Sequence, residues 1–178
     1  MPIEFLNPVG ECVTPVNDYH LCAPANTALT VGLVINRIVD CDTFMHEVGE
    51  ALIALDSGLT VNYYETGEIT FADAGLMDRV ALECGAAVCA IGHCGSCTAG
   101  TIKDGIALIE RGLPAVSLVT ELFWEQGSAL ARSLGWPDAP RTQLPYPIWG
   151  SGEIAMRAVA ARIAPGILRQ LGRAAPHD

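Results

Sequence analysis

Several features that mark whole classes of protein are missing from this 178-residue chain. No apolar run reaches the roughly 18–20 residues needed to span a bilayer. The first residues, Met1-Pro2-Ile3-Glu4-Phe5, lack the basic and apolar regions of a secretory signal, so a cytoplasmic protein is expected. Basic residues are few, ten against twenty acidic, and the net charge is −10. That balance argues against nucleic acid and anionic membrane surfaces as partners and suits a small-molecule substrate. Charged residues make up only 17% against 51% hydrophobic, which excludes a disordered chain and leans towards a homodimer. Internal repeats and low-complexity segments are absent beyond an alternation of strand-like and helix-like stretches.

Cysteine, by contrast, is plentiful: Cys12, Cys22, Cys41, Cys84, Cys89, Cys94 and Cys97. An odd count in a chain of this size reads as mostly free thiols in a reducing compartment rather than a disulfide framework. Cys84 and Cys89 lie in apolar surroundings and read as small core residues.

Residues 1–29 have no clear period and read as an arm packed on one α/β domain spanning 30–172, with a frayed tail from Arg173. Within the domain the pattern predicts strands at Thr30–Asn36, Leu59–Tyr64, Ala86–Ile91 and Leu113–Val119. Helices are predicted at Asp42–Leu55 (capped by Asp42 or Thr43), Asp73–Glu83, Cys97–Arg111, Glu121–Leu134 and Ser151–Leu171, the last kinked at Pro165. Residues 65–71 read as a loop or short hairpin, and 136–150 as a Pro- and aromatic-rich loop. Such alternation argues for βαβ units, right-handed crossovers and a parallel sheet, whose ligands bind outside the carboxyl ends of the strands. Asn36, Cys94 and Thr120 each follow a strand and should share that edge.

The run Ile91-Gly92-His93-Cys94-Gly95-Ser96-Cys97-Thr98 carries the chemistry. A C-x-x-C between an apolar strand and a helix puts the first sulfur near the positive helix end, which favours thiolate over thiol. The second thiol can then resolve a product. Backbone N–H groups of Ser96, Cys97 and Thr98 would cradle a thiolate or a substrate oxygen, with Gly95 keeping the turn open. A zinc site would need a second pair of ligands that the sequence does not supply. A thioredoxin-like arrangement fits poorly, because this motif follows the third strand.

Other candidates carry plainer readings beside the functional ones. His93 can take the thiol proton, or be an ordinary loop histidine. His46 and Glu50 read as a solvated i,i+4 pair rather than metal ligands. Asn36 can meet substrate or simply cap a turn. Thr120 reads as an N-cap, with Glu121 complementing the helix dipole. The loop Leu144-Pro145-Tyr146-Pro147-Ile148-Trp149-Gly150 can cover the thiols or pack on a second subunit. No residue set points to a phosphate, nucleotide or flavin, so no cofactor is expected.

The stretch Ala86–Val119, with Cys94-Gly95-Ser96-Cys97-Thr98 at its centre and Ile109-Glu110-Arg111-Gly112-Leu113-Pro114 before the next strand, resembles the U-G-S-C family of proteins and selenoproteins. It is also similar to the C-terminal part of the selenoprotein subunit of glycine, sarcosine and betaine reductases. Val31–Asn36 and Pro145-Tyr146-Pro147 extend that likeness over roughly residues 30–150. The resemblance implies that Cys94 stands at the selenocysteine position and attacks a substrate carbon, with Cys97 as its partner thiol. Here cysteine, a weaker nucleophile, replaces selenocysteine, and His93 stands where many members have an acidic residue.

These readings converge on a flavodoxin-like three-layer α/β sandwich with a mostly parallel four- to five-stranded sheet. The expected function is a thiol-dependent oxidoreductase with Cys94 as nucleophile, Cys97 resolving, and an external thiol reductant. Two alternatives stand: a non-redox enzyme working through a Cys94 adduct, and a non-catalytic subunit of a larger complex.

Overall fold

The structure is a computed structural model that describes residues 14–24, 28–67 and 73–173. Most of the predicted arm, part of the 65–71 loop and the tail beyond Arg173 therefore lie outside the described residues. Five strands, β1 (Leu29–Ile35), β2 (Leu59–Glu65), β3 (Ala86–Gly92), β4 (Ala115–Thr120) and β5 (Arg141–Leu144), form one sheet in the order β2-β1-β3-β4-β5, every neighbouring pair parallel. The helices are α1 (Cys41–Leu55), α2 (Ala74–Glu83), α3 (Gly95–Glu110), α4 (Trp124–Ser133, preceded by a 3₁₀ turn at Glu121–Phe123) and α5 (Glu153–Gln170).

The sheet is covered on both sides, and the side chains sort by their period of two. Val31, Leu33 and Ile35 of β1, with Val88 of β3 and Leu118 of β4, face Phe44, Met45, Val48 and Leu52 of α1 and Ala160, Ala164 and Ile167 of α5. Val34, Ala87, Cys89 and Val119 point the other way, towards Met77 and Val80 of α2, Ile102 and Ile106 of α3, and Ala131 of α4. Right-handed crossovers account for this division. The chain steps one way along the sheet from β1 to β2 and the other way from β2 through β5, so α1 falls on one face and α2–α4 on the other. The result is the flavodoxin-like three-layer sandwich. β3 and β4 are buried along their whole length, whereas the edge strand β2 buries only Leu59 and Tyr64.

β5 lies inside the stretch expected to be loop. Its sequence, Arg-Thr-Gln-Leu, has one buried side chain, and it is held by main-chain pairing to β4 rather than by an apolar pattern. α5 continues through Pro165. Among the described residues, no helix is long and apolar enough to cross a membrane.

The sheet order reverses between β1 and β3. In open α/β sheets the crevice outside the carboxyl ends at such a point is where ligands bind. Asn36 follows β1 and Cys94 follows β3, so both stand at its rim.

Candidate active site

β3 delivers the motif to the edge, and Gly92 sets its position. A Cβ there would lie 3.0 Å from Thr98 Oγ1 and 3.2 Å from both methyl carbons of Val119. Only glycine lets the first turn of α3 approach the ends of β3 and β4 this closely. The Ala90–Ile91 peptide just before it is cis, and the β3–β4 register shifts between Cys89 and Gly92.

α3 begins two residues earlier than predicted, at Gly95, which makes Cys94 its N-cap. The Cys94 sulfur accepts the Cys97 backbone N–H at 3.2 Å, and Ser96 Oγ lies 3.5 Å from the same sulfur. Cys94 and Cys97 are joined as a disulfide, with Cα atoms 5.1 Å apart, an ordinary separation for such a bond. The expected three-amide cradle is corrected in one member. The Thr98 N–H is already taken by the Cys94 carbonyl at 2.9 Å, as the first intrahelical bond.

Cys97 is buried, while Cys94 is half-buried at the surface. The two thiols are therefore unequal in access. The buried cysteines elsewhere contrast with them. Burial pushes the Cys41 thiol up to about 12 and raises Cys84 and Cys89 above the ordinary thiol range.

Asn36 and Thr120, expected at this edge, are there as supports, and Glu121 beside Thr120 joins them. Asn36 Nδ2 donates to the Ile91 carbonyl at 3.0 Å and reaches Thr101 Oγ1 at 3.4 Å, bridging β1 to β3 and α3 across the crevice. Thr120 does not cap the following turn. Its hydroxyl donates to the Gly92 carbonyl at 2.8 Å, tying β4 to the end of β3. Glu121 accepts the Tyr146 N–H at 3.2 Å.

His93 is buried at 5% exposure, and its Nε2 accepts the backbone N–H groups of Ile148 (3.2 Å) and Trp149 (3.4 Å). Its ring lies 4.7 Å from that of Tyr146 and 5.6 Å from that of Trp149. Burial lowers its pKa below the ordinary imidazole value, against a smaller upward pull from its own backbone, and an acceptor Nε2 requires the neutral ring. Those bonds make His93 an anchor for the 145–150 loop, in place of the thiol base considered above, and they draw the aromatic loop across this edge.

Two residues at the site carried no signal in sequence. Gln126, on α4, donates to the Gly95 carbonyl at 2.9 Å. Asp40, in the left-handed conformation at φ 62°, accepts the Gly150 N–H at 2.9 Å. An Asp after a strand with positive φ is a recurrent turn feature, but nothing in the sequence links it to a loop 110 residues away. Away from the site, His46 pairs with Asp42 at 3.3 Å rather than with Glu50 as expected, and stacks on Tyr63. Among the described residues, no three His, Cys, Asp or Glu side chains are placed to hold a metal ion. A cleft of about 360 Å³ opens beside Asn36, lined by Ile35, Arg37, Ile38, Val39, Asp42 and Glu65.

The arrangement is a sulfur at a helix N-terminus, a second sulfur in bonding reach, and an aromatic loop over the same edge. The UGSC family model matches residues 4–173, nearly the whole length. This chain belongs to the UGSC family. A search of curated proteins gave no significant match.

Proposed function

We propose that this UGSC-family chain is a thiol-dependent oxidoreductase that acts on a small molecule carrying a leaving group on an electrophilic carbon. The observation that carries the reading is Cys94 at the N-cap of α3, its sulfur within 3.2 Å of the Cys97 N–H and bonded to the Cys97 sulfur. A sulfur so placed is stabilised as thiolate by the helix terminus. The thiolate attacks carbon, a C–S bond forms, and the leaving group departs with its electron pair. The Cys97 thiolate then attacks the Cys94 sulfur. The C–S bond breaks, the carbon keeps its electron pair and takes a proton, and the disulfide closes. The substrate gains two electrons that the dithiol loses, and an external dithiol returns them. The likeness of residues 30–150 to the selenoprotein of the glycine, sarcosine and betaine reductases points the same way.

The test uses chloroacetone on the reduced protein. Acetone, chloride and a Cys94–Cys97 disulfide are expected in equal amounts. Cys97→Ala should stop at a Cys94 adduct, and Cys94→Ser should give nothing. Repeated conversion of chloroacetone to hydroxyacetone and chloride by Cys97→Ala without added thiol, water displacing the Cys94 thiolate from the adduct each time, would sink the redox reading in favour of chemistry through the Cys94 adduct alone.

A further inference from the structure

Residues 145–151 cross the carboxyl edge of the sheet as a strap, and the strap is held through its backbone. Glu121 after β4 accepts the Tyr146 N–H, His93 after β3 accepts those of Ile148 and Trp149, and Asp40 after β1 accepts that of Gly150. Ile148 is sunk in the core at 2% exposure, which pins the middle. Main-chain anchoring leaves the flanking side chains for another use. Tyr146 and Trp149 each tilt against the His93 ring, at 31° and 47°, yet stay 42% and 47% exposed. Leu122, on the segment after β4, is 62% exposed, and Val39, after β1, is 58% exposed.

Large apolar groups at a rim beside a nucleophile have two ready occupants, a second copy of the chain or an apolar part of the substrate. Charge separates them. Asp40, Asp42, Glu65 and Glu121 stand at or beside this edge, offset there by Arg37, and the chain carries −10 overall. Joining two such edges brings like charges together, which opposes association at an interface. A neutral or cationic aromatic group meets no such penalty and gains from stacking on Tyr and Trp.

We infer that the strap is the specificity element of the Cys94 site, its Tyr146 and Trp149 rings receiving an aromatic, non-anionic portion of the substrate while Cys94 meets the electrophilic carbon. The inference rests on the proposed role of Cys94 as nucleophile. His93 is a positioning residue in it. The ring holds the strap only as neutral acceptor, with the Asp40 and Glu121 carboxylates holding either end and the Tyr146 and Trp149 rings flanking it.

The experiment compares two alkylating probes, iodoacetamide and N-benzyliodoacetamide, on the reduced full chain, with rates read at each cysteine by peptide mass. In both, the C–S bond forms as iodide leaves. Exposed Cys22 is the internal reference. The expected result is a benzyl-to-small rate ratio at Cys94 roughly five- to tenfold above that at Cys22. The ratio should fall towards the Cys22 value in Trp149→Ala and Tyr146→Ala, and in the unmodified chain as pH drops through the His93 transition. Equal ratios at Cys94 and Cys22 would overturn the inference, and fast iodoacetamide labelling of Cys94 in that same run would leave the nucleophile reading standing. Slow labelling of Cys94 by both probes overturns both. A dimer in sedimentation that protects the strap, with no benzyl preference, gives the rim to a second copy and overturns the inference alone.

Discussion

Cys89 and Cys94 sit five residues apart on one strand and its exit, and they are opposite kinds of cysteine. Cys89 lies inside β3 at 1% exposure, facing Val119 and the α3 side of the sheet, and burial raises its thiol far above the ordinary range. It packs as a small apolar residue. Cys94 lies past the strand end, where Gly92 lets α3 press against the sheet and the Cys97 N–H of the helix's first turn meets the sulfur. The difference teaches that reactivity here follows from where the strand stops. A side chain at Gly92 would press on Thr98 of the first turn of α3 and on Val119, the contacts that set the helix against the strand end.

The contrast can be broken at several points. The largest expected effect is from Cys94→Ser, which should lower chloroacetone reduction by roughly 10³-fold or more, assayed as acetone formed per protein. Cys89→Ser should do the reverse. It buries a hydroxyl in an apolar cluster and should cost about 1–3 kcal/mol of stability in denaturant titration, with Cys94 alkylation kept within about twofold. A loss of Cys94 reactivity in that variant would show the two regions to be coupled.

Two threonines flanking Gly92 sharpen the same comparison. Thr120→Val removes the bond to the Gly92 carbonyl and should cost about 1 kcal/mol or slightly more. The Thr98 hydroxyl is buried against Gly92 with no hydrogen-bond partner among the described residues, so Thr98→Val should be neutral or stabilising by up to about 1 kcal/mol. Opposite signs in the two melting curves are the expected outcome, and equal losses would contradict it.

The smallest effect is that of acid. The His93 pKa is depressed in the folded chain, so its contribution is fully present above the ordinary imidazole value and is lost as pH falls through the lower folded value. Amide exchange at Ile148 and Trp149 should accelerate over that window and not above it. Exchange independent of pH, after correction for the intrinsic rate, would remove His93 as the anchor.

Much of the fold is legible in the residues because β1, β3 and β4 are buried on both faces and therefore read as unbroken apolar runs, Thr-Val-Gly-Leu-Val-Ile and Ala-Ala-Val-Cys-Ala-Ile among them. β5 is not legible, since an edge strand of Arg-Thr-Gln-Leu is specified by its neighbour's backbone rather than by its own pattern. The start of α3 is misjudged for a local reason. Gly95 and Ser96 are poor helix formers, and cysteine is not among the usual N-caps, so propensity places the helix two residues late. At the site, the strand ends bring Asn36, Cys94 and Thr120 to one edge as the alternation predicts. Their partners are long-range, however. Asn36 bonds Ile91, Thr120 bonds Gly92, and His93 bonds Ile148, and no local spacing encodes those pairings.

The most direct measurement is the alkylation rate of each cysteine in the reduced chain at neutral pH, with iodoacetamide as probe. Cys22 is exposed and lies outside any helix, Cys41, Cys84 and Cys89 are buried, and Cys94 is both accessible and capped by a helix N-terminus. Cys94 should label roughly tenfold faster than Cys22, with the buried three silent until the chain unfolds. Labelling of Cys94 no faster than Cys22 would contradict its role as the activated nucleophile.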